Sequence, residues 1–329
     1  MRILLSLAPP DGTTRFVDQL VAEPGDTVQY IYFSWLTAIF GRYDVFHVHW
    51  PEFLLRSNKF YGKAIKAVLF NLFMMRLALT KTAVVRTLHN LRPHEEGSRT
   101  ESRLLKTCDA LTTLDIRLNE ETMPRGKPLA TILHGHYKSR FRARSPISRV
   151  PGRILYFGLI RPYKGVEKLI EVFSALEDKS LSLRIVGNPT PDLRTVVQNS
   201  CEQFSQITCD LRFVPDDVLA DEIRQAELVV LPYREMHNSG AVLVALSLSR
   251  RVLVPRSKSN ELLAAEVGQG WIEMFDGELT QDVLQSAHQA SAVSTDAESA
   301  PLLSKRDWSE VGRQHAIAYA ESIRLKDQS

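Results

Sequence analysis

The sequence predicts an α/β protein with two open, doubly wound parallel sheets, each covered by helices on both faces. Its 329 residues are enough for about two domains of ~150 residues each. Short continuous apolar runs, which are typical of strands buried on both faces, alternate with segments of helical periodicity. A stretch rich in Arg, Pro and Gly, residues 141–152, separates two such halves. We therefore expect two Rossmann-like domains that face each other across a cleft.

The second half of the chain has the clearer alternation. Apolar runs predict strands at Arg153–Phe157, Leu181–Val186, Leu211–Val214, Leu228–Leu231, Arg251–Val254 and Trp271–Phe275. Amphipathic segments predict helices at Gly165–Leu176, Asp217–Gln225, Ser239–Ser249 and Glu261–Val267, and two more that begin near Thr190 and Thr280. In a parallel sheet, ligands bind beyond the carboxyl ends of the strands, so the residues just after each strand are the candidates for function.

The first half repeats this rhythm less regularly. We predict strands at Arg2–Leu7, Val28–Tyr32, Val45–His49, Ala83–Leu88, Ala110–Leu114 and Leu129–Leu133, with helices at Thr14–Val21, Lys59–Leu79 and Arg99–Thr107. A final helix is predicted at Trp308–Ile323. The predicted organisation is a first domain at 1–140, a linker at 141–152, a second domain at 153–306 and a C-terminal helix at 307–329.

Charge divides the chain unevenly. Residues 1–150 hold 22 Lys and Arg against 13 Asp and Glu, a net charge of +9, whereas residues 151–329 have a net charge of −6. The first half should therefore attract an anionic partner. It lacks the interleaved aromatic side chains on which nucleic-acid bases stack, so nucleic acid is not the expected partner.

Three observations indicate a cytoplasmic protein. The three cysteines are an odd number and form no Cys-x-x-Cys motif, which argues against a disulfide framework or a cysteine-rich zinc site. The apolar run at the N-terminus is only a few residues long, too short for the core of a signal peptide. No run approaches the ~20 apolar residues that a membrane-spanning helix needs.

A basic loop follows the first strand of the second half. Arg161 and Lys164 lie between the strand Arg153–Phe157 and the helix that begins near Gly165. An arginine grips two phosphate oxygens at once, a lysine supplies a point charge, and the positive end of the helix dipole adds to both. The loop suits a diphosphate; a solvated basic turn is the alternative, and on composition alone it is the commoner case.

Several motifs stand in the order found in the GT-B glycosyltransferases, and with them the chain resembles that superfamily over nearly its whole length. In the second half they are Arg161-x-x-Lys164-Gly165, Val186–Pro189, Leu228–Pro232 and His237–Gly240. In the first half they are Tyr43–His49 and Thr87–His89, with Leu133–His136 and Phe141 at the junction. The resemblance implies a GT-B fold, a nucleotide-sugar diphosphate held by Arg161 and Lys164, and a final helix that crosses back to the first domain through Trp308 and Tyr319.

One position departs from the pattern of retaining relatives. Those enzymes carry two glutamates eight positions apart, and counted from His237 the second falls on Ala245. The carboxylate that usually holds the ribose is therefore absent or replaced. The departure puts a retaining mechanism in doubt.

Four segments resemble, more narrowly, the GDP-mannose:glycolipid β-1,4-mannosyltransferases of bacterial xanthan assembly. They are His47–Glu52, Val85–Asn90 with Pro93–Glu95, Phe157–Val166, and Leu231–Arg234 with Met236–Gly240. This resemblance implies an inverting transfer of mannose from GDP-mannose to a polyprenyl-diphosphate-linked oligosaccharide in exopolysaccharide synthesis. UDP and GDP sugars share the diphosphate, so the motifs alone leave the nucleotide open.

Loop position and resemblance together select the candidate site residues. The donor-binding candidates are His89, Arg161, Lys164, Asn188, His237, Asn238, Ser239 and Gly240, and the acceptor-binding candidates are His49 and Trp50. An inverting displacement needs a general base. The first-half strand ends offer His49, Glu52, His89, His94, Glu95 and Asp115, of which we rank Glu52, His94 and Glu95 first as catalytic residues. A structural role is the alternative for each histidine, and helix capping is the alternative for Asn238 and Ser239.

We expect no metal and no cofactor. No Asp-x-Asp pair, which would hold a divalent ion, occurs in the chain. Protein cations would then stabilise the leaving diphosphate in its place.

The segment Lys59–Lys81 raises the question of a membrane. Its cations, Lys59, Lys63, Lys66, Arg76 and Lys81, cluster toward both ends of an apolar middle, which suits a helix that lies on an anionic membrane surface. A helix packed on the sheet with its lysines in water is an equal alternative. The charge of +9 favours peripheral contact with the inner face of the cell membrane.

A rival function from another class is a non-catalytic scaffold or regulatory protein that binds a nucleotide sugar. The absence of a glutamate at Ala245 is its support. An oxidoreductase is less favoured, because no Gly-x-Gly-x-x-Gly follows the first strand.

Overall fold

A computed structural model describes residues 1–10, 15–57, 60–89, 98–141, 147–234, 240–292 and 300–328. Its elements fall into two compact units. Unit 1 comprises Met1–Gly135 together with Lys305–Ser329, and unit 2 comprises His136–Ser304. The final helix thus belongs to the same unit as the N-terminal strands.

Unit 1 is built on a six-stranded parallel sheet in the order β2-β1-β3-β4-β5-β6. Its strands are β1 (Arg2–Leu5), β2 (Gln29–Ile31), β3 (Val45–Val48), β4 (Ala83–Leu88), β5 (Leu114–Arg117) and β6 (Leu129–Thr131). Its helices are α1 (Arg15–Ala22), α2 (Trp35–Phe40), α3 (Phe60–Leu79), α4 (Arg99–Leu111) and, at the end of the chain, Trp308–Asp327, with short 3-10 helices at Pro51–Leu54 and Ser304–Arg306.

Successive residues of these strands point to opposite faces, and each face has its own core. Ile3, Val45 and Val85 pack with residues of α1 and the C-terminal helix. Leu4 and Phe46 pack on the other face with residues of α2, α3 and α4. The sheet is therefore buried on both sides, as continuous apolar strands predict.

Unit 2 has a second six-stranded parallel sheet, in the order β12-β11-β10-β7-β8-β9. Its strands are β7 (Arg153–Phe157), β8 (Ser182–Val186), β9 (Ile207–Asp210), β10 (Leu228–Val230), β11 (Arg251–Pro255) and β12 (Ile272–Phe275). Its helices are α5 (Val166–Ser174), α6 (Pro191–Gln203), α7 (Asp216–Gln225), α8 (Gly240–Ser247), α9 (Lys258–Val267) and α10 (Gln281–Ala292), with a 3-10 helix at Pro162–Lys164; the C-terminal helix of unit 1 is α11. The predicted α/β class with two doubly wound parallel sheets is confirmed.

Two predicted strands are wrong. The strand predicted at Ala110–Leu114 begins instead at Leu114, because α4 continues to Leu111 and buries Cys108 there. The strand predicted at Leu211–Val214 is instead β9, four residues earlier. β9 is an edge strand with one neighbour, so it tolerates polar residues that hid it from an apolar pattern.

The border between the units differs from the predicted linker. It falls between Gly135 and His136, before the predicted linker at 141–152 begins. The reason is that Tyr137 and Phe141 are buried in the core of unit 2, and the Tyr137 backbone N–H donates to Ser247 Oγ at 2.8 Å. The second border falls at Ser304 and Lys305, two residues before the predicted one at 306.

Helix α3 carries apolar residues on two opposite faces. Phe70, Phe73, Met74 and Leu77 are buried against the sheet. The other face forms an apolar stripe, defined as Tyr61, Ile65, Val68, Leu72, Met75 and Leu79, whose members are between 43% and 80% exposed. One face of α3 therefore packs on the sheet, and the opposite apolar face is exposed.

Candidate functional sites

The switch point of the unit 2 sheet lies between β7 and β10, where the strand order reverses. The loops after neighbouring parallel strands meet at one edge of the sheet, which is where such folds bind ligands. Here the loop after β7 contains Arg161 and Lys164, and the segment after β10 contains Tyr233. Gly165 has a left-handed φ of 68°, and a Cβ at that position would overlap the carbonyl oxygen of Pro232. Glycine thus lets the two loops touch.

Arg161 is held by backbone carbonyls of two neighbouring loops. Its Nη1 donates to Ile160 O at 2.8 Å and to Asn188 O at 2.9 Å. The loop of Asn188 comes this close because Gly187, with φ 149°, lies against Gly158; a Cβ on Gly187 would overlap the Gly158 carbonyl oxygen. The remaining N–H groups of the guanidinium face no carboxylate among the described residues.

Lys164 lies beside Tyr233, at the start of α5. Its Nζ is 3.3 Å from Tyr233 Oη and 4.7 Å from the centre of that ring. Burial, together with the charge of Arg161, lowers the pKa of Lys164 to about 8. Two cations and the first turn of a helix therefore converge where parallel sheets bind phosphates.

The remaining donor-binding candidates differ in where the structure places them. The Asn188 side chain is exposed, and what the residue contributes to the loop is its carbonyl oxygen. Gly240 is the first residue of α8, and Ala245 is fully buried in the apolar interior of that helix. His237, Asn238 and Ser239 lie outside the described residues.

Unit 1 brings five histidines together, a group called here the histidine cluster: His47, His49, His89, His134 and His315. Rings of His47 and His49 are 4.1 Å apart on one face of the sheet, as the alternation of β3 predicts. His49 follows β3 and His89 follows the adjacent β4, so the two meet: His49 Nδ1 and His89 Nε2 are 2.9 Å apart, and one of them donates.

Two aromatic side chains, Trp50 and Phe16, pack against the histidine cluster. Trp50 stacks on His89 with ring centres 4.0 Å apart and an interplanar angle of 19°. Phe16 contacts His89 and His134 edge-on. The acceptor candidates His49 and Trp50 and the donor-sugar candidate His89 are thus in mutual contact.

The C-terminal helix completes this cluster. His47 is hydrogen-bonded through Nδ1 to Tyr319 Oη and through Nε2 to Thr87 Oγ1, both at 2.8 Å. His315 Nδ1 donates to Val311 O, and its Nε2, like that of His49, has no partner among the described residues. Sequence reasoning missed His315, although it belongs to a buried helical stripe with Trp308, Val311 and Tyr319 that the spacing could have shown.

Burial keeps these histidines neutral. It lowers the pKa of His49 to about 3 and those of His134 and His315 to about 4. Burial and the neighbouring imidazoles hold the pKa values of His47 and His89 well below the ordinary value. Neutral imidazoles can accept as well as donate hydrogen bonds, which suits sugar hydroxyls.

The carboxylates among the base candidates differ in exposure. Asp115 is fully buried and held by Arg125, whose Nη2 donates to Oδ1 at 2.7 Å and Nε to Oδ2 at 3.1 Å, so its role is structural. Glu52 is half-buried in the 3-10 helix after Trp50 and lies close enough to Arg86 to stabilise the charge of that arginine. His94 and Glu95 lie outside the described residues.

Neither a metal-binding cluster nor a membrane-spanning helix is present among the described residues. No group of three or more His, Cys, Asp or Glu side chains in this part of the chain could hold a metal ion. No described helix is both long and apolar enough to cross a membrane.

Comparison with known proteins identifies the family. The model of the family "Glycosyl transferases group 1" matches residues 151–285. The chain is 46% identical, over 324 residues, to the GDP-mannose:glycolipid 4-β-D-mannosyltransferase of Xanthomonas campestris pv. campestris, covering 98% of this chain and 92% of that protein.

Solved structures of similar fold include the UDP complex of HepE from Anabaena, with a TM-score of 0.61, 13% identity, and coverage of 99% of this chain and 97% of that one. They also include sucrose-phosphate synthase from Thermosynechococcus elongatus, with a TM-score of 0.59, 13% identity and coverage of 99% and 96%. These likenesses concern the fold. The chain is a glycosyltransferase of GT-B fold and belongs to the family of the Xanthomonas GDP-mannose:glycolipid 4-β-D-mannosyltransferase.

Proposed function

We propose that this enzyme transfers mannose from GDP-mannose to a polyprenyl-diphosphate-linked oligosaccharide in exopolysaccharide synthesis, by an inverting displacement that needs no metal. The observation that carries this proposal is the 46% identity to the Xanthomonas mannosyltransferase over 98% of the chain. By its name, that relative uses GDP-mannose as the donor and a glycolipid as the acceptor. The two domains are those predicted from the sequence, with the two borders moved as described. In this proposal unit 1 binds the acceptor and unit 2 binds the donor.

The donor proposal rests on unit 2. Arg161 is held by two carbonyls and makes no ion pair among the described residues, and Lys164 is beside it. A nucleoside diphosphate would satisfy both cations and the first turn of α5. We propose Asn188, His237, Asn238, Ser239 and Gly240 as further contacts to the donor, and His89 as a contact to its sugar.

The chemistry is a single displacement. The acceptor oxygen forms a bond to the anomeric carbon, the bond from that carbon to the β-phosphate oxygen breaks, and the electron pair leaves with GDP. A base takes the proton of the acceptor hydroxyl, and we propose Glu52, His94 and Glu95 for this role, of which Glu52 is beside the proposed acceptor residues His49 and Trp50. Arg161 and Lys164 stabilise the charge that develops on GDP.

A divalent metal is not needed in this scheme, because two protein cations already face the leaving diphosphate. Activity should therefore persist in EDTA. Complete loss in EDTA with recovery on addition of Mg²⁺ or Mn²⁺ would contradict this part of the proposal.

We propose that unit 1 associates peripherally with the anionic inner face of the cell membrane, where a lipid-linked acceptor is found. The support is the apolar stripe of α3, whose members follow one another at alternating intervals of four and three residues and so form one continuous line. α2, which packs against α3, adds the exposed side chains of Leu36 and Phe40. A soluble domain rarely exposes so long an apolar line without a partner.

The charge of unit 1 supports an anionic membrane as that partner. Lys63 is exposed near one end of the stripe and Lys81 follows the other, and the first 150 residues carry +9. Cations near an anionic surface contribute about 1 kcal/mol each. Not all the predicted cations are available: Arg76 donates to Gly41 O, Lys66 donates to Arg56 O, and Lys81 pairs with Asp327 at 3.4 Å. Lys59 lies outside the described residues.

A transfer assay tests the function directly. The purified protein is incubated with GDP-mannose or UDP-glucose and a bacterial membrane extract that contains polyprenyl-diphosphate-linked saccharides. We expect GDP release and a mannosylated lipid from GDP-mannose only, with the β-configuration visible by NMR. Glu52→Gln should lower kcat by at least about 100-fold if Glu52 is the base. Binding of GDP-mannose without turnover on any lipid acceptor would instead favour the scaffold alternative.

A further inference from the structure

The residue that holds Lys164 comes from the segment after β10. Tyr233 is buried, and its backbone N–H donates to Leu231 O at 2.9 Å. The next residue ties the same segment to the basic loop, because the Arg234 N–H donates to Tyr163 O at 2.8 Å. The Tyr233 side chain is thereby fixed beside Lys164, to which it presents both its ring and its hydroxyl.

We propose that Tyr233 positions the Lys164 ammonium for the diphosphate of the nucleotide, and that binding of the diphosphate there is coupled to uptake of a proton. This inference rests on the proposed donor site. No ion pair competes for Lys164 among the described residues, and its hydrogen bond to Tyr233 Oη uses one of three N–H groups. Two N–H groups are left for phosphate oxygens.

Gly158, at the end of β7, lies next to this pair. A Cβ there would be 3.9 Å from Lys164 Nζ and 4.0 Å from Tyr233 Oη. The side of the ammonium that faces Gly158 therefore has no side chain from that position. The hydroxyl of Tyr233 limits the rotamers of Lys164, so less side-chain entropy is lost when the ligand binds.

The coupling to protons follows from the position. Burial lowers the pKa of Lys164 to about 8, so near that pH about half of the free enzyme carries a neutral amine. An anionic diphosphate favours the ammonium and raises this pKa, so its binding draws a proton from the solvent. The terminal phosphate of GDP has a pKa near ~6 and is already ionised, so it takes up no proton itself.

Four variants separate these contributions. Tyr233→Phe keeps the ring and removes the hydroxyl, and Tyr233→Leu removes both. Lys164→Arg keeps a cation that does not lose its proton at these pH values. Tyr43→Phe is the control, because it removes a buried tyrosine hydroxyl of unit 1 that donates to Ala38 O and is remote in sequence and fold from the Lys164 loop.

Calorimetry with GDP supplies the first readout. We expect Tyr233→Phe to weaken GDP binding about fivefold and Tyr233→Leu about 30-fold, whereas Tyr43→Phe changes it less than about twofold. In wild-type protein near pH 8, we expect uptake of about half a proton per GDP. The binding enthalpies measured in Tris and in HEPES should therefore differ by about half of the difference between the ionisation enthalpies of the two buffers. Uptake should nearly vanish near pH 6.5 and in Lys164→Arg.

A second readout works without ligand. Titration of ¹³C-labelled lysine side chains by NMR should give a Lys164 pKa that falls in Tyr233→Phe, since the hydroxyl oxygen stabilises the charged form. If wild-type protein binds no GDP, the proposed donor site is wrong, and this titration still decides the role of Tyr233. Unchanged GDP affinity in both Tyr233 variants, or an unchanged Lys164 titration in Tyr233→Phe, would overturn the inference.

Discussion

Arg161 and Lys164 are both cations of one loop, but the fold treats them differently. Arg161 is oriented by two backbone carbonyls, which leaves its charge uncompensated. Lys164 is oriented by an aromatic side chain and is partly buried. The first therefore acts as a permanent charge and the second as one that depends on pH near neutrality.

We predict that Arg161→Ala and Lys164→Ala each weaken GDP binding by about 10- to 100-fold, the usual value of a charge-assisted phosphate contact. Isothermal calorimetry near pH 7 measures the effect. Arg194→Ala is the control, because that arginine of unit 2 donates to the Leu211 carbonyl from helix α6. Unchanged affinity in both site variants would remove the donor assignment.

The approach of the Asn188 loop to Arg161 depends on Gly187. Gly187→Ala should destabilise the protein by more than about 3 kcal/mol, because the new Cβ would overlap the Gly158 carbonyl and φ 149° is unfavourable for alanine. Gly277 also has a positive φ, 69°, but a Cβ there meets nothing within 4 Å. Gly277→Ala should therefore cost only about 1 kcal/mol. Urea midpoints measure both, and equal values would contradict the packing argument.

Among the elements, α3 shows how one helix can serve two surfaces. Its sheet-facing residues are those of an ordinary domain helix, and the stripe on its other face adds a second apolar side. α11 does the reverse: its buried stripe contains polar groups, His315 and Tyr319, that join the histidine cluster. The roles proposed for both helices therefore involve faces that local periodicity alone assigns to packing.

We predict that Val68→Gln, Leu72→Gln and Met75→Gln together reduce binding to phosphatidylglycerol vesicles at least about tenfold, since each loses apolar area that the lipid would bury. Cosedimentation measures it, with phosphatidylcholine vesicles as the uncharged comparison. Ile317→Gln is the matched control, because Ile317 is 56% exposed on α11, outside the stripe. Equal binding by the triple variant and the control would return α3 to a purely structural role.

On the scale of the whole molecule, the buried histidines concentrate acid sensitivity in unit 1. The folded pKa values of His134 and His315 are about 4, below the 6.5 of an ordinary histidine, so the unfolded chain binds more protons between these values. The stability that depends on neutral histidines is complete above about pH 6.5 and is lost as the pH falls toward 4.

We predict that His315→Leu makes unfolding less dependent on pH. Between about pH 7.5 and 5, one such histidine should account for about 2 kcal/mol of the lost stability. Urea unfolding followed by tryptophan fluorescence at both pH values measures the difference. His136→Leu in unit 2 is the control. If wild type and His315→Leu lose the same stability on acidification, then His315 is not buried in its neutral form.

Much of this protein could be predicted from its sequence by itself. Continuous apolar runs predict parallel strands that are buried on both faces. Short motifs such as Arg161-x-x-Lys164-Gly165 show which loop carries cations. Both features can be predicted because each depends on residues that are close together in the chain. The strand β9 and the end of α4 were predicted wrongly, because an edge strand tolerates polar residues and because α4 continues to Leu111 and buries Cys108.

Only the tertiary structure decided which distant residues meet. Tyr233 reaches Lys164 because β7 and β10 are neighbours across the switch point, although 69 residues separate the two side chains. His47 meets Tyr319 because α11 packs on the sheet of unit 1, 272 residues later in the chain. The physical reason is that sheet order and helix docking are set by the free energy of burying whole apolar faces, and no local window of sequence contains both partners.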